Sequence, residues 1–387
     1  PRRREDLIER DYKSRPSRPA SSTTLVSGRG KGRRKDTCRR RRLEYMASLT
    51  GKVVIVTGAN AGLGFETARQ LYALGATVVL AARNKGRGTA AAEALSGRDS
   101  SDDARAVYLP LDLAHFQSVR SFVRQFHERF GQSNLHGLVC SAGVNSAGAK
   151  LQQEASFPGD DNGSENANFV FRVNFTSHAL LAFLLLDDLR ACGTELNPSQ
   201  IVTVSSHMHC FCPPNIPWQS LAADPSASAY SASKLALLLL ASALHRREAT
   251  NNIQCTAVNP GAVASQIWRN SPALIQWVSD ALFLSPSCGA RPAVSCFLRR
   301  ATPKNYLSAR YLTPYFDLVG ACGLSTCFPM KLQAVLEAAA GKLLAFRGPQ
   351  VGRVSRIAMD RSEAARLLAA AEQLVARELG RTTVANF

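Results

Sequence analysis

The chain has no apolar run long enough to cross a membrane. Its longest, Ala179 to Leu186 and Leu235 to Leu244, are about ten residues, whereas a spanning helix needs roughly twenty. A secretory signal with an apolar central region is also missing, so the ten cysteines, at 38, 140, 192, 210, 212, 255, 288, 296, 322 and 327, read as reduced thiols in an intracellular compartment. The expected location is cytoplasmic, with peripheral membrane association as the alternative. Paired CxxC spacing is absent as well. Cys210-Phe-Cys212, despite His207 and His209 nearby, and Cys322 with Cys327 do not make a zinc pattern, and no metal is expected. Internal repeats are absent.

Acidic residues are scarce at one end. Residues 1–45 hold sixteen Lys/Arg and six Asp/Glu, which is +10 of the chain's formal charge of +18. The remaining 342 residues carry only +8, so the body gives no electrostatic reason to expect a nucleic-acid partner. With Ser, Pro and Gly between its basic runs and almost nothing apolar to bury, the 1–45 segment is expected to be a disordered tail. Met46 stands just before Ala-Ser-Leu-Thr-Gly-Lys, so two readings stay open: a genuine basic tail, or a start at Met46. The overall balance, 45% hydrophobic and 20% charged, is that of a soluble globular chain.

From Lys52 onward, short apolar runs alternate with longer segments of helical spacing. This predicts an α/β fold: a doubly wound parallel sheet in a single Rossmann-type domain. Expected strands are Val53 to Thr57, Thr77 to Ala81, Ala106 to Pro110, Gly137 to Cys140, Ile201 to Ser205 and Ile253 to Val258. They are apolar almost throughout because such strands are covered on both faces. Helices are expected at Leu63 to Leu74, Phe116 to Phe130, Phe169 to Arg190 and Tyr230 to Ala249. Gln153 to Ala167 reads as an exposed loop insertion. The main domain is placed at 46–318, an irregular insertion at 319–358, and a C-terminal helical extension at 359–387 whose apolar face (Ala364, Leu367, Leu368, Ala371, Leu374, Leu379) packs back on the core.

Directly after the first strand comes Thr57-Gly58-Ala59-Asn60-Ala61-Gly62-Leu63-Gly64. Its glycines permit a tight turn and close backbone approach, and the helix that follows offers unpaired N–H groups to a pyrophosphate. Its strand-turn-helix setting makes it a dinucleotide signal. At the end of the second strand, where an NAD-specific fold places a carboxylate for the ribose 2′-hydroxyl, this chain has Arg83 in Ala82-Arg83-Asn84-Lys85. A guanidinium there suits a 2′-phosphate, so NADP(H) is the expected cofactor, with a solvated surface charge as the alternative. Asp112, in Leu111-Asp112-Leu113, is placed for the adenine edge or for capping a helix.

Tyr230-Ser231-Ala232-Ser233-Lys234 opens an apolar helix and puts Tyr and Lys, four apart, on one face. A free tyrosine has a pKa of about 10, and an adjacent ammonium lowers it toward useful acid/base chemistry. Val204-Ser205-Ser206 ends a strand at the edge where open α/β sheets bind ligands, so Ser206 could hold a substrate oxygen beside Tyr230.

Together with Val173-Asn174 and Asn259-Pro260-Gly261, these motifs resemble the short-chain dehydrogenase/reductase family, specifically its branch containing retinol dehydrogenases and the WW-domain oxidoreductase. The likeness covers about residues 50–318 and the final helix. It implies that Tyr230 is the general acid/base, that Lys234 binds the nicotinamide ribose, that Ser206 positions the carbonyl or alcohol, and that Asn174 anchors a water in a proton relay. It implies a cofactor set of Gly58, Asn60, Gly62, Leu63, Gly64, Arg83, Asp112, Leu113, Ala142, Gly143, Tyr230, Lys234, Pro260 and Gly261. Ala262 to Leu284, with Ile267, Trp268, Ile275 and Trp277, would form an apolar lid or else simply core. The implied activity is hydride transfer between NADP(H) and a carbonyl or alcohol on a lipophilic molecule such as a retinoid, steroid or long-chain aldehyde. A catalytically silent dinucleotide-binding module is the alternative. Two departures matter. Cys140-Ser141-Ala142-Gly143 lacks an Asn that normally steadies the sheet and cofactor region, and residues 1–45 contain no tryptophan, so no WW domain is expected there. Homo-oligomers through the helices around Asn174 and Tyr230 are one expectation. Packing of those faces against the sheet is the other.

Overall fold

A computed structural model describes residues 48–97, 105–145, 169–212, 218, 229–264, 283–298, 310–313, 350–351 and 356–378. The basic segment 1–45, the 153–167 insertion, lid residues 265–282 and most of 319–358 lie outside them.

The first strand, β1 (Val53–Thr57), is buried at every position, and its side chains alternate between two cores. Val53 and Ile55 face one, Val54 and Val56 the other, which is why the run shows no polar alternation. Its neighbours are β2 (Thr77–Ala82), β3 (Ala106–Pro110), β4 (Gly137–Cys140), β5 (Ser199–Val204) and β6 (Ile253–Val258), all parallel. Beyond them lie β7 (Arg310–Thr313), parallel to β6, and β8 (Gln350–Val351), antiparallel to β7. The sheet order β3-β2-β1-β4-β5-β6-β7-β8 reverses direction between β1 and β4, and the carboxyl ends of those two strands frame the crevice where such sheets bind ligands.

On one face lie α1 (Gly62–Ala73), α2 (Lys85–Ser96) and a later helix, Pro286–Leu298, which packs on α1. The other face carries α3 (Phe116–Phe130), the helical segment around Asn174 and the long helix Ala229–Glu248. Sequence spacing places α1, α3 and the long helix within a residue or two of their observed ends. It does not find α2 or Pro286–Leu298. In α2 the buried residues are Gly88, Ala91 and Ala92, too small to print an apolar stripe. Gly88 is needed, because a Cβ there would sit 2.2 Å from the Tyr108 ring. Pro286–Leu298 carries Pro292 in its interior, a residue that normally argues against helix.

The expected continuous helix from Phe169 to Arg190 is corrected. A short helical turn, Phe169–Phe171, runs into a π turn at Arg172–Thr176, where the Ser177 N–H bonds the Arg172 carbonyl five residues back. Then come α4 (Ser177–Leu184) and, after a break at Leu185, α5 (Leu186–Cys192), bent by 54°. The apolar pattern runs unbroken through both irregularities, so periodicity alone does not register them. Among the described residues no single helix is long and apolar enough to cross a membrane.

The remaining helices are α6 (Ala229–Glu248), α7 (Pro286–Leu298) and, after a short turn at Arg356–Met359, α8 (Arg361–Glu378). The helix α8 packs on α6, burying Ala364, Leu367, Ala371, Val375 and Ala376, with Leu368 half-buried against the same core and Leu374 half-buried; Leu379 lies outside the described residues. Arg247 of α6 pairs with Glu372 across the α6–α8 contact, and Trp218 also donates to α8 at Glu363.

Candidate active site

The crevice at the strand ends is one cavity of about 320 Å³, reaching from Arg83 and Arg87 at one end to Tyr230 and Lys234 at the other. Thr57 closes β1 and Gly58 begins the turn at φ +67, a left-handed conformation that favours glycine. A Cβ on Gly58 would lie 2.9 Å from the Ala142 backbone, and one on Gly64 2.4 Å from the Gly58 carbonyl. The turn is therefore tight on itself. It opens into α1 with no side-chain cap, so the first N–H groups of that helix, beside Ala61, Gly62, Leu63 and Gly64 in the wall, remain for a ligand. A dinucleotide's pyrophosphate fits this arrangement.

Arg83 is exposed on the wall, and Asn84 beside it caps α2 by accepting the Arg87 N–H at 2.9 Å. Arg87 lines the same end of the cavity, a second arginine there that the sequence reading left unassigned. Asp112 and Leu113 also line the wall. The Asp112 carboxylate accepts the Ala114 N–H at 2.9 Å and lies 3.5 Å from His115, so it shapes its own turn besides facing the cleft. Asn60, Ala142, Gly143, Pro260 and Gly261 complete the anticipated lining, with Ser141, Val144, Asn145 and Val263 as further members.

Loss of the usual Asn at position 141 does not loosen the loop after β4. The N–H groups of Ser141 and Ala142 both donate to the Thr57 hydroxyl oxygen, at 2.9 and 3.0 Å. Backbone donors make these bonds, so they do not depend on which side chain position 141 carries.

At the far end, β5 and α6 are tied by side chains bonding backbone. Thr203 donates to the Leu237 carbonyl at 3.0 Å and Ser205 to the Lys234 carbonyl at 2.7 Å. Ser206 follows, its hydroxyl oxygen capping the 3₁₀ turn His207–Phe211 by accepting the Met208 N–H at 3.3 Å. Tyr230 lines the same cavity as Ser206. The Lys234 ammonium is buried, donates to the Val204 carbonyl at 3.0 Å and lies 5.6 Å from the Tyr230 ring centroid.

The electrostatic balance differs from the simple expectation that Lys234 depresses the phenol. Burial pushes Tyr230 up to about 12, with the Ser206 hydroxyl acting the other way. Burial also lowers Lys234 to about 8. Desolvation dominates at both groups, and the ammonium is engaged with the Val204 carbonyl.

Asn174 does not line the cavity. It is fully buried on the π turn, where its side-chain oxygen accepts the Val144 N–H at 2.8 Å and its amide donates to the Val144 carbonyl and to Ser233 at 3.0 and 3.1 Å. A Cβ on Gly143 would meet its oxygen at 3.2 Å and the Lys234 ammonium at 3.4 Å, so these three groups converge behind the wall. The apolar residues expected in the lid at 267, 268, 275 and 277 lie outside the described residues. The ends of that segment are fastened together, the Ala264 N–H on the Leu284 carbonyl and the Leu284 N–H on the Ala262 carbonyl. No cluster of three metal-ligating side chains occurs among the described residues.

A doubly wound sheet with a glycine turn at its switch point, and Ser, Tyr and Lys at the other end of the same crevice, defines a nucleotide-binding oxidoreductase domain. The family model for short chain dehydrogenases matches residues 52–274. The chain is 34% identical to the zebrafish (Danio rerio) WW domain-containing oxidoreductase over 72% of its own length, spanning 63% of that protein. It is 36% identical to mouse (Mus musculus) polyprenol dehydrogenase, covering 74% of this chain and 82% of the relative, and 34% identical to mouse retinol dehydrogenase 12, covering 68% and 78%. Among solved structures, an uncharacterized protein from Mycobacterium paratuberculosis aligns with TM-score 0.56 at 26% identity, over 86% of this chain and 96% of that one. The chain belongs to the short-chain dehydrogenase/reductase family of oxidoreductases, which use a nicotinamide cofactor.

Proposed function

We propose that the chain transfers a hydride between NADP(H) and a carbonyl or alcohol on a lipophilic molecule of the retinoid, steroid or long-chain aldehyde kind. The observation that carries this reading is the single cavity joining two guanidinium groups, Arg83 and Arg87, to the Ser206–Tyr230–Lys234 group. Arginine at the adenosine end favours a 2′-phosphate over a bare ribose, because a guanidinium offers charge-assisted donors where NAD would need a carboxylate acceptor. When bound, the nicotinamide supplies or accepts the hydride. Ser206 holds the substrate oxygen, and Tyr230, protonated at neutral pH, delivers its proton to that oxygen in the reduction. Lys234 supplies the fixed positive charge beside the ring and a donor for the ribose. Asn174 holds Val144 and Ser233, and through them the geometry of the wall. The names of the mouse relatives, retinol and polyprenol dehydrogenases, support a lipophilic alcohol or carbonyl as substrate.

Fluorescence titration with NADPH and NADH, followed by a turnover screen of retinal, steroid ketones and aliphatic aldehydes, tests the reading. Tighter NADPH binding with turnover of one of these classes is expected. Binding without any turnover would favour a silent dinucleotide-binding module, and equal affinity for the two cofactors would remove the role given to Arg83.

A further inference from the structure

A histidine that plays no part in the scheme above lies at the centre of the molecule. His178, on α4, is fully buried, with the Thr57 hydroxyl 2.9 Å from Nε2 and the Asn174 carbonyl 2.8 Å from Nδ1. A carbonyl can only accept, so Nδ1 carries the proton. A neutral ring then offers Nε2 as acceptor to the Thr57 O–H at 2.9 Å, closer than the Val139 carbonyl at 3.3 Å, the other acceptor within reach of that hydroxyl. Burial holds the ring neutral by lowering its pKa to about 4. The same Thr57 oxygen receives the N–H groups of Ser141 and Ala142.

One imidazole therefore joins the last residue before the glycine turn, the loop after β4 and the π turn. The connection continues. Asn174 donates to the Ser233 hydroxyl, and that hydroxyl donates to the Tyr230 carbonyl at 2.7 Å. An unbroken line of hydrogen bonds runs from the nucleotide turn to the helix that carries Tyr230 and Lys234. The π turn is where this line is needed, since a five-residue repeat is an irregular arrangement that local backbone bonding alone does not favour.

We infer that His178 is a positioning residue for the reaction: clamped between Thr57 and the Asn174 carbonyl, it fixes the π turn in register with the nucleotide turn and so sets where Tyr230 and Lys234 stand over the cofactor cradle. The inference rests on the oxidoreductase reading of the site. It assigns His178 no contact with substrate or cofactor and no proton to transfer.

The test compares kcat, KM, NADPH affinity and melting temperature for wild type, His178→Phe, His178→Gln, Thr57→Val and the His178→Phe/Thr57→Val double variant. Phenylalanine keeps the ring volume without either bond, and glutamine offers an amide that can donate and accept. His178→Phe is expected to lower kcat by about ten- to a hundredfold, the scale of a small misplacement of reacting groups, with KM and NADPH affinity within about threefold. His178→Gln recovers most of the loss; Thr57→Val, which also strips the acceptor from the Ser141 and Ala142 N–H groups, loses at least as much as His178→Phe; and the double variant is no worse than Thr57→Val alone because both changes break the same line. A folded His178→Phe with wild-type kcat overturns the inference, as do a glutamine variant equally impaired or losses that multiply. If His178→Phe does not fold, Thr57→Val and His178→Gln decide by the same criteria. A wild type without turnover on any substrate overturns the oxidoreductase reading along with this inference, whereas a competent wild type with unchanged variants overturns only this inference.

Discussion

Replacing Glu248 by Gln should destabilise the fold by about 2–3 kcal/mol at neutral pH, and the loss should vanish in acid. The Glu248 side chain is completely buried at the end of α6, with one oxygen 2.8 Å from Arg190 Nη2 and 2.7 Å from Arg247 Nε. Its other oxygen accepts from Arg190 Nε and Asn251 Nδ2, both at 2.9 Å. This one carboxylate ties α5 to α6, and through Arg247 and Glu372 it reaches α8. Removing one partner of a buried pair costs about 3–5 kcal/mol, because the other charge is left uncompensated. The arginines here are 29% and 26% exposed, so water recovers part of that loss and the lower figure follows. Burial would raise the Glu248 pKa, but the Arg190, Asn251 and Arg247 bonds prevail and hold it below the usual carboxylate value. A depressed carboxylate contributes stability that is present above the unfolded pKa of about 4.3 and is lost as pH falls through the folded value. Urea unfolding of wild type and Glu248→Gln from pH 8 to pH 3 should show a constant gap down to about pH 5 that closes below about pH 4. A gap under about 0.5 kcal/mol at pH 7, or one unchanged at pH 3.5, would refute the reasoning.

Arg83→Ala should weaken NADPH binding by about tenfold or more, the worth of a charge-assisted bond, while changing NADH affinity little; paired fluorescence titrations check this. Since α8 lies on α6 and α4, the helix faces through which self-association was one expectation are covered by the chain's own C-terminal helix. A dimer built on those faces, detected by light scattering and abolished by a charged substitution on them, would contradict this packing.

Much of this was readable in the residues because the physics that forms the parallel sheet also writes it into the sequence. Runs such as Val53–Thr57 and Ile253–Val258 are apolar at nearly every position because helices cover both faces, and their bounds agree with the observed strands. The glycine turn was legible because close backbone approach at Gly58 and Gly64 leaves no choice of residue. What escaped was structure made by small or irregular features. Ala91 and Ala92 bury too little to reveal α2, Pro292 disguises α7, and the π turn interrupts the helix without interrupting its apolar pattern. In the site, Arg87 looked like one more charge in a basic run, and only the fold puts it on the cavity wall. His178, four residues after Asn174, has the spacing of any core position, and only the three-dimensional meeting with Thr57 distinguishes it. Asn174 itself was placed in the right neighbourhood, but its burial behind Val144 and Gly143 depends on tertiary packing that local pattern does not encode.

The central claim is that Tyr230 moves the proton at a substrate oxygen held in the cleft. The most direct test is the rate of NADPH oxidation by the best substrate from the screen, in wild type and Tyr230→Phe, with NADPH affinity measured on both proteins. The account predicts a fall of about 10²- to 10⁴-fold in kcat with affinity nearly unchanged. A phenylalanine variant that turns over within about threefold of wild type would contradict it.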